Sequence, residues 1–318
     1  MITLPAIYDL AGLMFALIAL QGAGDRTNPK RWTTSLFWGL YAVSFLAGSY
    51  LPDLANGVLV IAMVLLAGFG ALGRGRADTT STEEREISAA RWGNGLFIPA
   101  LLIPAVTLLG SVFLKNLRLS GVPVIDPAQA TLISLGLGVL VALLAAIVML
   151  RPPPLAPVRE ARRLIDTVGW AAVLPQMLAA LGAVFAAAGV GKVIAGLLNS
   201  YMPLDSRLAV VCAYTLGMAL FTVVMGNAFA AFPVMTAAIG LPLVVHKFGG
   251  NPATVAAIGM LSGFCGTLMT PMAANFNIVP AALLELPDRN GVIKVQVPTA
   301  LVLLACNTAL MYLLAFRA

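Results

Sequence analysis

Between residues 264 and 280 the chain reads FCGTLMTPMAANFNIVP, a stretch without charge that holds Thr267, Thr270, Asn275 and Asn277 around Pro271. Thr267 and Thr270 are three apart and share one face of a helix. Pro271 has no N–H and disfavours helix at Thr270, so the spacing predicts a break there, with TPMAAN as a tip and a second short helix from about Met272 or Asn275 onward. A half-helix that starts inside a membrane presents unpaired N–H groups and the positive end of its dipole. Asparagine and threonine add donors and acceptors without the cost of burying a charge. Broken helices of this kind hold anionic solutes and coupling ions in many secondary transporters, where they meet at mid-depth. Gly226-Asn227 in MGNAFAAFP and Gly93-Asn94 in WGNGLFIPALLIP repeat the combination of Gly, Asn and a following Pro in apolar context. The Asn-to-Pro step is five residues at Asn94 and Asn275 and six at Asn227, which reads either as a faint internal repeat or as chance recurrence. The candidate solute-binding residues are therefore Gly226, Asn227, Thr267, Thr270, Asn275, Asn277 and Asn94. The plainer reading is a set of proline kinks whose Thr and Asn side chains bond back to backbone or neighbouring helices.

Other polar residues suggest less. Lys192 in GVGKVIAGLL either snorkels or faces an anion path; Gln176 follows Pro175 inside an apolar run; His246, the one histidine, ends a run beside Lys247. Enzyme chemistry finds no footing. Asp9 and Asp25 are sixteen residues apart along one apolar run, about 24 Å on a helix, too far for a carboxylate dyad. GVGKV is not a phosphate loop, because Ala186 stands where the leading glycine belongs and Val193 where Ser or Thr belongs. No metal cofactor is expected from the side chains, and Cys212, Cys265 and Cys306 lie singly in apolar runs.

The elements that must position these residues are membrane helices. Of 318 residues 60% are hydrophobic and 10% charged, with mean hydropathy +0.96, against about 25% charged in a soluble domain. Uncharged windows run over 10–24, 32–52, 54–73, 92–114, 127–150, 167–191, 208–246, 248–284 and 295–316. A crossing needs about 20 residues, so the windows 208–246 and 248–284 must each fold back or break. The expected class is an all-α polytopic membrane protein with about nine to eleven membrane segments, including discontinuous helices or re-entrant hairpins. Net charge of +6 sits in short loops: Arg26, Lys30 and Arg31; Arg74, Arg76, Arg85 and Arg91; Arg151, Arg159, Arg162 and Arg163. The loops between them carry only Lys115 and Arg118. That alternation puts the basic loops in the cytoplasm and the N-terminus in the periplasm. RPPPLAPVREARRLIDT is a proline stop followed by a short basic amphipathic helix, expected to lie along anionic lipid. The chain divides into an N-terminal half at 1–150, a cytoplasmic linker at 151–168, and a C-terminal half at 169–318 that carries the broken helices.

MGNAFAAFPVMTAAIGLP, GFCGTLMTPMAANFNIVPAALLELP and WGNGLFIPALLIP resemble a bacterial permease family catalogued as domain of unknown function nine-seven-nine. That family is distantly similar to ion-transporter-superfamily carriers of dicarboxylates and gluconate. The resemblance implies re-entrant hairpins, alternating access, a second small membrane subunit and uptake of 5-oxoproline. The expected function is a secondary active permease subunit in the bacterial inner membrane, carrying a small carboxylate with Na⁺ or H⁺ as coupling ion. No carboxylate sits securely at mid-membrane, so a Na⁺ site of carbonyl, Thr and Asn oxygens is easier to build than a proton relay. The alternatives are a non-transporting scaffold or assembly subunit, and a pore.

Overall fold

The computed structural model describes residues 1–76, 80–119, 121–201, 205–284 and 286–316; residues 77–79 of the polar loop after Arg76 fall outside that set. Two compact units appear, Met1–Asp166 and Thr167–Ala318. Seven helical runs among the described residues are long and apolar enough to cross a membrane, and Asp53–Gly68, Pro252–Thr267 and Ala274–Leu283 are shorter apolar helices. The chain is an all-α membrane protein.

The first unit contains α1 (Leu4–Gly24), α2 (Arg31–Ala47), α3 (Asp53–Gly68), α4 (Thr82–Trp92), α5 (Phe97–Val112), α6 (Ala130–Leu150) and α7 (Ala156–Val168). Small residues let helices approach where lipid tails give no hydrophobic drive. A Cβ added at Gly12 would stand 2.6 Å from Leu46, and one at Gly22 would stand 2.8 Å from the Ser35 hydroxyl, so α1 and α2 run antiparallel with little between them. Phe15, Phe37, Trp38, Tyr41 and Phe45 fill the seam, with neighbouring ring centroids 4.7–5.8 Å apart. Gly110 and Gly138 do the same for α5 and α6, against Ser134 and the Ile103 carbonyl.

The basic loops converge on one end of this unit. Asn28 donates to the Gly73 carbonyl at 3.0 Å and Lys30 to the Gly70 carbonyl at 2.6 Å. At the other end Ile2 N–H donates to the Val124 carbonyl at 2.7 Å, beside the small hairpin of β1 (Arg118–Leu119) and β2 (Val122–Pro123). The linker α7 has the expected amphipathic character, but part of its polar face turns inward. Arg162 bonds Asp25, Trp38 Nε1 donates to Asp166 Oδ1 at 2.9 Å, and Arg74 Nε donates to the Asp166 carbonyl at 3.1 Å. Trp38 is buried, so its N–H needs an acceptor, and α7 brings one. Burial pushes the Asp25 carboxyl up, but hydrogen bonds from Thr27 and Arg162 outweigh it and hold the group below the ordinary carboxylate range.

The second unit contains α8 (Leu174–Ala187), α9 (Val190–Tyr201), α10 (Arg207–Met225), α11 (Ala228–Met235), a π-helical segment Thr236–Lys247, α12 (Pro252–Thr267), α13 (Ala274–Leu283) and α14 (Gly291–Leu314). The window 208–246 folds back: α10 and the run from α11 through the π segment form a hairpin. Gly217 accepts the Met235 side chain, and Tyr214 Oη lies 2.9 Å from Thr236 Oγ1. The window 248–284 breaks into α12 and α13. Gly259, Gly263 and Gly266 face Tyr214, Met218 and Ala219 in turn, so α10 and α12 lie parallel. α14 returns antiparallel, tied by the Thr215–Thr308 hydroxyl pair at 2.8 Å and by Asn251 N–H on the Ala315 carbonyl at 2.7 Å. Val210, Val211, Tyr214, Met218, Ile239 and Val255 form the core.

Candidate solute site at two facing helix breaks

Helix α10 ends at Met225 because Gly226 takes the left-handed conformation, φ 73°, which glycine adopts without a Cβ penalty. Asn227 follows in extended conformation and caps α11, its Oδ1 accepting from Phe229 N–H at 2.8 Å. The second break lies after Thr267. Thr267 Oγ1 donates to the Phe264 carbonyl at 2.6 Å. Thr270 Oγ1 donates across to the Val223 carbonyl of α10 at 2.9 Å and accepts from Met272 N–H at 3.2 Å. Asn277 reaches back from α13, its Nδ2 donating to the Thr267 and Thr270 carbonyls at 2.8 and 2.7 Å.

The breaks face each other. A Cβ at Gly226 would stand 2.7 Å from both the carbonyl carbon and the oxygen of Met272. Six of the seven candidate residues thus belong to one unit and to one pair of breaks. Asn94 belongs to the first unit, where it lies exposed in a 3₁₀ turn, Gly93–Leu96, between α4 and α5. Val223 and Thr222 are parts of the site that sequence reading passed over. A valine and a threonine inside an apolar helix carry no signal of their own.

What remains for a solute follows from subtraction. Thr222, Thr267, Thr270 and Asn277 are each at most 2% exposed. The Thr267 and Thr270 hydroxyl protons and the Asn277 amide protons are bound to the protein's own carbonyls. The Asn277 Oδ1 and the Thr222 Oγ1 are buried and without a protein partner. With Nδ2 fixed between two carbonyls, the amide cannot be flipped to relieve this, and a buried orphan acceptor calls for a donor or a cation. On the donor side, α13 starts at Ala274 without a side-chain cap, Asn275 is exposed, and Asn227 is half-buried. Two unpartnered oxygens, Asn277 Oδ1 and Thr222 Oγ1, are thus buried among the residues of the breaks, with the Asn227 and Asn275 side chains nearer the surface.

The depth differs from expectation. α10 runs 19 residues before Gly226, about 28 Å at about 1.5 Å per residue, a crossing length by itself. The breaks stand at the end of two parallel helices instead of halfway along them, because the tip forms where α10 turns over into α11.

Residues 5–316 match the family model DUF979, described as a protein of unknown function. The chain belongs to the DUF979 family. No curated protein and no solved structure matches it. Membership in DUF979 covers nearly the whole chain, so both units, and both breaks, fall inside the family's extent.

Proposed function

We propose that this DUF979 chain is a secondary active transporter subunit of the bacterial inner membrane that carries a small carboxylate, with 5-oxoproline the favoured solute. The observation that carries the reading is the apposition of Gly226 and Met272: two breaks, in windows too long for one crossing, meet at main-chain distance. The carboxylate docks at the α13 N-terminus, which has no side-chain cap, with Asn275 and Asn227 at the rim. Unpartnered Asn and Thr oxygens, Asn277 Oδ1 and Thr222 Oγ1, suit Na⁺ as the coupling ion better than a proton, which would require a group that titrates.

Counting the shorter helices and taking α8 with α9 and α12 with α13 as bent crossings gives ten membrane segments among the described residues. Basic loops gathered at one end of the first unit favour a periplasmic N-terminus. A second small membrane subunit completes the assembly.

The test is counterflow of labelled 5-oxoproline into vesicles holding the purified chain, with and without that subunit. Saturable uptake that falls in Asn275→Ala supports the proposal. Uptake absent under both conditions rejects it. One observation favours a second reading, a non-transporting scaffold: Thr267, Thr270 and Asn277 spend their donors on the protein's own backbone. A scaffold leaves vesicle counterflow at background while still pulling down its partner.

A further inference from the structure

Lys192 is the third residue of α9, and packing fixes its height. A Cβ on its neighbour Gly191 would stand 2.9 Å from the Val234 carbonyl and 3.6 Å from Ala238 N. Those residues are the seventh and eleventh of the 20-residue run Ala228–Lys247. On its other side Ile194 packs against the core that Val210, Ala213, Tyr214 and Met218 of α10 build, the fourth to twelfth residues of that 19-residue helix. Two crossing helices thus place the backbone of Lys192 halfway along their length, about 14 Å from either end at about 1.5 Å per residue. A four-carbon stem is much shorter than that, so snorkelling does not carry the ammonium to water.

The side chain is exposed on the unit, and among the described residues no carboxylate pairs with it. Nor does it serve the helix that bears it. A cation in the first turn opposes the positive end of the helix dipole, where an acid would help. The glycine before it is used for close approach to the π segment, so the position is set by packing and the charge is additional. An ionised residue at mid-crossing is tolerated where it faces an aqueous cavity or a counter-ion.

We propose that Lys192 is a binding station for the anionic solute, its ammonium meeting the carboxylate in a water-reachable path at mid-crossing. This rests on the transporter reading, and it adds a fixed cation that the two helix breaks lack.

The test uses the full chain in vesicles with Cys212, Cys265 and Cys306 replaced by serine. Lys192→Cys and its exposed neighbour Val193→Cys are labelled with a water-soluble, negatively charged thiol reagent. The expected result is labelling of Lys192→Cys about tenfold faster than Val193→Cys, because a thiol in hydrocarbon does not ionise, and slowing of that labelling by millimolar 5-oxoproline, succinate or gluconate but not by chloride. Equal rates at the two positions, or fast labelling that none of the three carboxylates slows, overturns the proposal. Uptake separates this failure from that of the transporter reading. Wild-type uptake that persists unchanged in Lys192→Gln removes Lys192 and leaves the transporter. A raised KM in Lys192→Gln, restored by Lys192→Arg, supports the station. No wild-type uptake of any of the three removes the transporter.

Discussion

Asn227 shows how one side chain can answer for both structure and binding. Its oxygen caps α11 through Phe229 N–H, a role worth about 1 kcal/mol when lost to alanine. Asn227→Ala therefore lowers thermal stability whether or not a solute binds. Asn227→Asp separates the roles, because aspartate caps as well as asparagine but repels a carboxylate. The expected outcome is near-wild-type melting with uptake strongly reduced; unchanged uptake removes Asn227 from the rim. Gly226→Ala is expected to cost more, at least about 1–2 kcal/mol for the left-handed backbone, with the clash against Met272 added. Its melting temperature in detergent should fall further than that of any glycine with open space around it, such as Gly196. Asn277→Ala strands the Thr267 and Thr270 carbonyls, and a loss of about 1–3 kcal/mol is expected for the buried groups left unpaired.

Helices and their ends carry the next set of consequences. α7 is held to the first unit by Arg162, Asp166 and Arg74, so the basic linker is docked on that unit. The Asp25 carboxyl, kept below its ordinary range by Thr27 and Arg162, contributes stability that is full above its unfolded pKa, about 3.9, and is lost as pH falls through the lower folded value. Asp25→Asn should therefore lower the melting temperature at pH 7, and the difference from wild type should shrink as the pH approaches 3. A difference that grows toward acid contradicts this sign. The same scale explains the π segment's neighbours: Gly240 and Gly259 clear room for the Tyr214 ring between the π segment and α12, and Tyr214→Phe tests the hydroxyl bond to Thr236 alone.

At the scale of the whole molecule, sidedness is the checkable quantity. Arg76, next to the Asn28–Gly73 contact, and Arg118 in the small hairpin near the N-terminus lie at opposite ends of the first unit. Single cysteines at these positions, probed in intact cells with an impermeant reagent, are expected to label at 118 and to be protected at 76. The reverse pattern inverts the proposed orientation. The membrane class was legible at this scale from composition, and the basic loops that meet at one end were legible from their spacing.

Sequence alone determined that the chain is helical and membrane-borne, that windows 208–246 and 248–284 could not be single helices, and that the interruptions fall at Gly226-Asn227 and near Pro271. Those are local matters: a crossing length, a missing N–H, a left-handed glycine. Tertiary structure decided that the first window folds back while the second breaks and continues, that the two interruptions meet through Gly226 and Met272, that Thr222 and the Asn277 oxygen are left without partners, and that Lys192 stands at mid-crossing. Such facts depend on which helix faces which, and in an apolar chain that choice rests on small residues spread over distant segments, where no single stretch of sequence holds the information.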